Sequence, residues 1–183
     1  MCKIDNREAL KELLDSQAFE RRPVVLSSGK TSHYYFDGRK VSLNPRGAYL
    51  IAHLICDMIK DDQVDAVGGL TMGADPIVGA LGPVAYQRGL DISLFIVRKE
   101  AKQHGTRQQI EGPPLKAGQR VVVVDDVITT GGSVIKAVEA VRAIGCKVVK
   151  AIALVDRQEG GTQTLEGMGV RVESIFTAAD FGL

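Results

Sequence analysis

The sequence predicts an α/β fold, a central and mostly parallel sheet flanked by helices. Three observations point to it. Short apolar runs alternate with helical periods along the chain, the order that builds parallel sheets through right-handed crossovers. The run Val121, Val122, Val123, Val124 is continuously apolar and β-branched, as in a strand covered on both faces. That run ends in two carboxylates, Asp125 and Asp126, and then in a turn of Thr129, Thr130, Gly131, Gly132 and Ser133 that opens a helical pattern.

Taken in order, residues 6–16 read as a helix with Ala9, Leu10, Leu13 and Leu14 on one face and Asp5 or Asn6 as its cap, a lid or packing helix. Asn44 and Pro45 supply a cap and a first-turn proline for a second helix through Tyr49, Ile51, Ala52, Leu54, Ile55, Met58 and Ile59. A strand at 66–70, a helix at 75–88 and a strand at 92–97 follow. The Val121 strand, the helix of Val134, Ile135, Ala137, Val138, Val141 and Arg142, and a strand at 148–155 complete the series. Ligands of such sheets bind outside the carboxyl ends of the strands.

At 183 residues the chain suits one domain, spanning 1–183, and no repeat or low-complexity linker asks for a boundary. With 23 basic and 22 acidic side chains there is no overall field to draw nucleic acid or an acidic membrane. Cys2, Cys56 and Cys146 lack zinc or redox spacing and suit a reducing compartment. No apolar stretch approaches the roughly 20 residues of a membrane span, and the charged start MCKIDNREALKELL is unlike a signal peptide. A cytoplasmic location is expected.

The turn from Thr129 to Ser133 gathers backbone N–H groups and hydroxyls at a helix N-terminus, where a phosphate is favoured. Two Asp beside a phosphate would repel it unless they hold something else, either a divalent cation or ribose hydroxyls, and a ribose 5-phosphate offers both groups. The sequence D-D-V-I-T-T-G-G-S resembles the signature of the type I phosphoribosyltransferases. The resemblance implies their fold, with a small N-terminal hood and a flexible catalytic loop. It also implies a site for phosphoribosyl pyrophosphate (PRPP) made by Asp125, Asp126, Val127, Ile128, Thr129, Thr130, Gly131, Gly132 and Ser133. There the acidic pair would engage the ribose 2′- and 3′-hydroxyls and the loop would grip the 5′-phosphate.

Four further segments carry the resemblance. The small-residue turn Gly68, Gly69, Leu70, Thr71, Met72, Gly73, Ala74, Asp75, Pro76 matches the family's pyrophosphate loop, often built around a strained peptide bond. Thr71, Met72 and Gly73 are its PRPP-binding candidates, although better-known bacterial members carry a lysine where Met72 stands. The stretch 98–114, RKEAKQHGTRQQIEGPP, has no apolar period and holds Arg98, Lys99, Lys102, His104 and Arg107. Its R-K-E-A-K-Q-H-G resembles the catalytic loop of the orotate phosphoribosyltransferase family, which closes over PRPP and, in the family's homodimer, acts in trans. The resemblance implies that Arg98, Lys99, Lys102 and His104 bind the diphosphate, with Lys102 the main stabiliser of the leaving group and His104 a candidate proton donor. Such a lid excludes water.

The run V-D-R-Q-E-G-G resembles the family's orotate-binding segment, with Arg157 meeting the pyrimidine and Thr129 adding a hydroxyl; a plain ion pair of Arg157 with Asp156 or Glu159 is the competing reading. Near the N-terminus, L-S-S-G-K-T-S-H-Y-Y-F-D resembles the segment whose aromatics stack over the base, placing Tyr35 and Phe36 in the orotate site. Ser27 stands where some members have a lysine, a contact either missing or taken over by Lys30. Gly29, Lys30 and Thr31 do not form a triphosphate loop, because Val24 occupies the place of its first glycine. His33 and His53 read as ordinary histidines.

The resemblance therefore implies transfer of the 5-phosphoribosyl group of PRPP to orotate, giving orotidine 5′-monophosphate and pyrophosphate. Mg²⁺ would bridge diphosphate and ribose oxygens, held by substrate and water with no direct protein ligand. The rivals are a purine phosphoribosyltransferase, which shares the Asp125 to Ser133 loop but not the 98–114 or Arg157 segments, and a PRPP-sensing regulator. The latter usually adds a helix-turn-helix, for which the residues before Arg22 are too few.

Overall fold

The computed structural model describes residues 5–20, 22, 24–25, 31–100 and 109–183. Helix α1 (Asn6–Gln17) starts at Asp5, whose side chain accepts the Arg7 N–H. It buries Ala9, Leu10 and Leu14 and packs on α3, so it is a packing helix; each large apolar side chain removed from water is worth roughly 1.5–3 kcal/mol. Four two-residue strands then form the hood. β1 (Phe19–Glu20) pairs antiparallel with β4 (Tyr35–Phe36), and β2 (Val24–Val25) pairs with β3 (Thr31–Ser32). The short α2 (Arg39–Ser42) leads to α3 (Pro45–Ile59), where Asn44 accepts the N–H groups of Arg46 and Gly47 and Pro45 takes the first turn, which needs no N–H.

The main sheet comprises β5 (Ala66–Leu70), β6 (Ser93–Val97), β7 (Ile110–Glu111), β8 (Arg120–Ile128), β9 (Lys147–Asp156) and β10 (Val172–Thr177), in the order β10-β9-β8-β5-β6-β7. All neighbours are parallel except β6 and β7. The crossovers are α4 (Ala74–Gln87), α5 (Gly132–Ala143) and α6 (Gly161–Gly167), and a 3₁₀ turn (Ala178–Phe181) closes the described chain. The pleat divides the core. Val122 and Val124 belong to the layer of α1, α3 and α4, whereas Val121 and Val123 belong to the layer of α5. Helices on both faces explain why the valine run shows no polar alternation.

Three sequence expectations change. The strand carrying the acidic pair runs on to Ile128, because β9 continues to pair with it through Asp156; Asp125 and Asp126 are strand residues, not the strand's end. The strand at 148–155 is not the last of the sheet, since β10 adds a parallel edge beyond it. The stretch 98–114 is not one loop: β7 turns back on β6, and Arg98 N–H donates to the Gln109 carbonyl at 2.8 Å. Far from the carboxyl edge, the buried Lys150 ties β9 to its neighbours, its Nζ lying 2.7 Å from Asp62 Oδ2, 3.0 Å from Glu173 Oε2 and 2.7 Å from the Met58 carbonyl.

Candidate active site

The carboxyl ends of β5 and β8 open into two adjoining cavities. The first, about 380 Å³, is lined by Thr129, Thr130, Gly131, Gly132, Ser133 and Val134, with Leu70, Lys99, Asp125, Val127 and Lys136. Gly131 has φ of +83°, the left-handed conformation glycine adopts at no steric cost, and it turns β8 directly into α5. The loop is braced from behind by the next crossover. Gly161 N–H donates to the Thr129 carbonyl at 2.9 Å, and any Cβ on Gly161 would lie 2.5 Å from that oxygen and 2.8 Å from Gly131 N. Backbone amides of the first turn of α5 therefore face a fixed concavity suited to a phosphate.

The second cavity, about 290 Å³, shares Leu70, Lys99, Asp125, Val127, Thr129 and Ser133 with the first and adds Phe36, Asp37, Arg39, Thr71, Met72, Gly73 and Asp126. The Thr71–Met72 peptide bond is cis, and Thr71 Oγ1 donates to Asp75 Oδ2 at 2.7 Å. Gly73 must be glycine for a different reason from Gly131. A Cβ there would lie 2.3 Å from Asp125 Oδ1 and 2.6 Å from Asp126 Oδ1, so the turn presses its backbone against both carboxylates.

Asp125 and Asp126 are only 5% and 8% exposed. Burial pushes the Asp125 carboxyl well above the ordinary carboxylate range, and the neighbouring charge of Asp126 adds to the rise. Burial raises Asp126 too, against the opposing effects of Asp125 and of the Arg39 guanidinium. The Asp126 N–H donates to Asp125 Oδ1 at 3.0 Å and holds that side chain in place. Hydroxyl donors or a cation entering the cavity would favour the ionised pair, which burial disfavours. The pleat separates their duties: Asp125 lines both cavities, whereas Asp126 lines only the second, beside Gly38 and Arg39 at the start of α2.

Arg157, only 7% exposed, stands just past β9. Its backbone N–H donates to the Ile128 carbonyl at 2.9 Å, which sets it beside Thr129. Nη2 lies 2.8 Å from Glu159 Oε1, so the ion pair weighed from the sequence is present, formed with Glu159. Nε donates to the Tyr34 hydroxyl at 3.1 Å.

Other sequence candidates settle differently. Phe36 lines the second cavity and packs on Phe19, with ring centroids 4.8 Å apart. Tyr35, its partner in the expected stacking pair, is turned to the other face, because successive strand residues alternate. Ile128 points its side chain into the core under α5 and contributes none to the cavities. Lys99 lines both cavities, but Arg98 turns to Glu111, 3.3 Å away, beside an adjoining hollow. Lys102 and His104 lie outside the described residues, as do Ser27 and Lys30. The sequence reading missed Tyr34, Arg39 and Lys136. A period of two signals Tyr34, whose ring, like that of Phe36, meets Phe19, and helical spacing signals Lys136, three residues after Ser133. Nothing local marks Arg39.

Residues 40–172 match the phosphoribosyl transferase domain family. The chain is 44% identical over 184 residues, covering 99% of it and 98% of the relative, to the orotate phosphoribosyltransferase of Bradyrhizobium diazoefficiens. It is 45% identical over 174 residues, 95% of the chain and 84% of the relative, to the orotate phosphoribosyltransferase of a Nostoc species. Among solved structures it is similar to Mycobacterium tuberculosis orotate phosphoribosyltransferase in complex with PRPP, with a TM-score of 0.81 and 38% identity, covering 98% of this chain and 100% of that one.

Proposed function

The chain belongs to the orotate phosphoribosyltransferases of the phosphoribosyl transferase family, and from that premise we infer that it transfers the 5-phosphoribosyl group of PRPP to orotate. The C1–oxygen bond to pyrophosphate breaks, its electron pair leaving with the diphosphate. A bond forms from orotate N1 to C1 with inversion, giving orotidine 5′-monophosphate for pyrimidine synthesis. Orotate reacts as its N1 anion, so the protein's task is positioning and electrostatics.

One observation carries this reading: Asp125, of the buried acid pair, shares a cavity with the glycine-turned start of α5, and Asp126 lines the cavity that adjoins it, so carboxylates for a ribose and amides for its 5′-phosphate stand side by side. The loop from Thr129 to Ser133, with Lys136 on its helix, receives the 5′-phosphate. Asp125 and Asp126 orient the ribose hydroxyls and stabilise positive charge developing on the ring. Thr71, Met72 and Gly73 offer their backbone to the diphosphate, with Lys99 and, from the resemblance, Lys102 and His104 as cations around it. Arg157 takes the orotate carboxylate, which must displace Glu159, while Phe36 and Thr129 border the base.

Mg²⁺ brought in with PRPP would supply counter-charge on the diphosphate. The donor chemistry suits a hard cation: Asp125 and Asp126 bring carboxylate oxygens to the second cavity. A homodimer with residues 98–114 acting in trans, a single domain over 1–183, no nucleic-acid or membrane partner, and a cytoplasmic location complete the proposal. Cys56 and Cys146, buried free thiols whose pKa values burial pushes up, support a reducing compartment, and among the described residues no helix is long and apolar enough to cross a membrane.

The test is the loss of orotate's near-ultraviolet absorbance on adding PRPP and Mg²⁺ to the purified protein, with uracil and hypoxanthine as parallel acceptors. Consumption of orotate alone is expected. Turnover of hypoxanthine instead would replace the acceptor, and PRPP binding without any turnover would replace the enzyme with a sensor.

A further inference from the structure

The wall of the second cavity formed by Thr71, Met72 and Gly73 brings no cationic side chain to the site, although a leaving diphosphate needs one. Among the residues lining that cavity the cations are Lys99 and Arg39. We infer that Arg39 is the fixed guanidinium of this site, binding the diphosphate of PRPP from the start of α2 in the cavity it shares with the Met72 turn; the inference rests on the PRPP reading above.

The geometry around Arg39 is that of a prepositioned anion contact. Asp37 holds one edge of the guanidinium, with Nε 2.9 Å from Oδ1 and Nη2 3.2 Å from Oδ2, and Oδ1 also accepts the Arg39 N–H at 3.2 Å. The Asp37 contacts use Nε and Nη2, and among the described residues the end-on edge through Nη1 makes no hydrogen bond of its own beside the cavity that Arg39 lines. A guanidinium can present one planar edge to Asp37 and a second to another anion, a paired and pre-oriented geometry that an ammonium lacks. The side chain is 41% exposed, enough to meet a ligand.

Gly38 allows the approach to the acid pair. A Cβ on it would lie 3.1 Å from the Asp126 Cβ and 3.2 Å from Asp126 Oδ2, so the glycine brings the start of α2 against that carboxylate. The Arg39 charge favours the ionised form of Asp126, which burial disfavours. One guanidinium thus serves both ends of the breaking bond. Arg98 is less suited to the role, since it lines neither of the two cavities but the adjoining hollow, where it meets Glu111.

The experiment compares wild type with Arg39→Ala and Arg39→Lys, using the full chain. KM for each substrate, inhibition by pyrophosphate, and the pH profile of kcat/KM for PRPP are read. Arg39→Ala is expected to raise the PRPP KM and weaken pyrophosphate inhibition by on the order of tenfold, with Arg39→Lys recovering part of each, as loss of a charge-assisted fork implies. The orotate KM stays unchanged. The acidic limb of the profile moves to higher pH in Arg39→Ala, since among the described residues the charged groups left facing Asp126 are Asp37, Asp125 and the cavity-lining Lys99; a merely structural Arg39 would not move it. Wild-type PRPP KM and pyrophosphate inhibition in a folded Arg39→Ala would overturn the inference, as would equal losses for both substrates with no shift of the limb. If Arg39→Ala does not fold, Arg39→Gln, which keeps a donor for Asp37 without the charge, is read by the same criteria. Failure of wild type to use orotate would count against the underlying reading alone, because pyrophosphate competition with PRPP binding still tests Arg39.

Discussion

Arg157 donates from Nε to the hydroxyl oxygen of Tyr34 at 3.1 Å, with its guanidinium carbon 4.5 Å from that ring's centroid. This contact joins the hood to the end of β9. It holds the buried Arg157 cation in place beside Glu159, 2.8 Å from Nη2.

Removing that cation should act on the acceptor alone. Arg157→Ala is expected to raise the orotate KM by about tenfold or more, as loss of a charge-assisted contact does. The PRPP KM is unchanged. Tyr34→Phe, which keeps the ring and loses the hydroxyl, shows a smaller rise. Equal changes for both substrates would count against the assignment.

Asp125→Asn separates function from folding. The asparagine oxygen can still accept the Asp126 N–H, but the ribose loses a carboxylate, so kcat should fall by on the order of a hundredfold. The fold should gain. A carboxyl whose pKa is raised on folding contributes stability that is complete below its unfolded pKa and lost as pH rises through the folded one. The variant is therefore more stable than wild type at neutral pH, and the difference vanishes as the pH falls below the ordinary carboxylate range. Melting curves from acid to neutral pH check this, each kcal/mol moving Tm by about 2–4 °C at this size.

Gly73→Ala tests the pressed turn. The added Cβ meets Asp125 Oδ1 and Asp126 Oδ1 at 2.3 and 2.6 Å, so the turn or the carboxylates must shift. PRPP affinity, measured by calorimetry, is expected to fall on the order of a hundredfold, since positioning depends on sub-ångström placement. Gly79→Ala, whose Cβ meets nothing within 4 Å, is the control that should bind normally.

Mixing Lys102→Ala chains with Arg157→Ala chains tests the loop in trans. At orotate concentrations well below the raised KM of the Arg157→Ala chain both parents are slow, and a mixed dimer with the loop in trans rebuilds one site with both residues. Activity that appears on mixing supports the shared site; none, with mixed dimers present by native mass spectrometry, places the loop in its own subunit.

The local chemistry was legible in the sequence. The valine run, the acid pair and the Thr129 to Ser133 turn are contiguous, so their composition already sets a buried strand, a sharp turn and a helix start. The Asn44 and Pro45 helix start was legible for the same reason. Boundaries were less so: β8 extends to Ile128 because β9 offers it partners, and residues 110–111 form a strand because β6 is beside them.

The direction of each side chain belonged to the tertiary structure. Tyr35 and Phe36 look equivalent in the sequence, but the β1–β4 pairing sends one toward the cavity and the other away. Ile128 sits inside the signature yet is claimed by the core, since burying it is worth more than placing it at a polar wall. The sequence by itself determined which groups are available: a phosphate turn, two carboxylates and an arginine for an acceptor. Only the folded chain decided which of them meet, because Tyr34 with Arg157, Arg39 with Asp126 and Gly73 with Asp125 are neighbours across long stretches of chain, and packing, not periodicity, closes those distances.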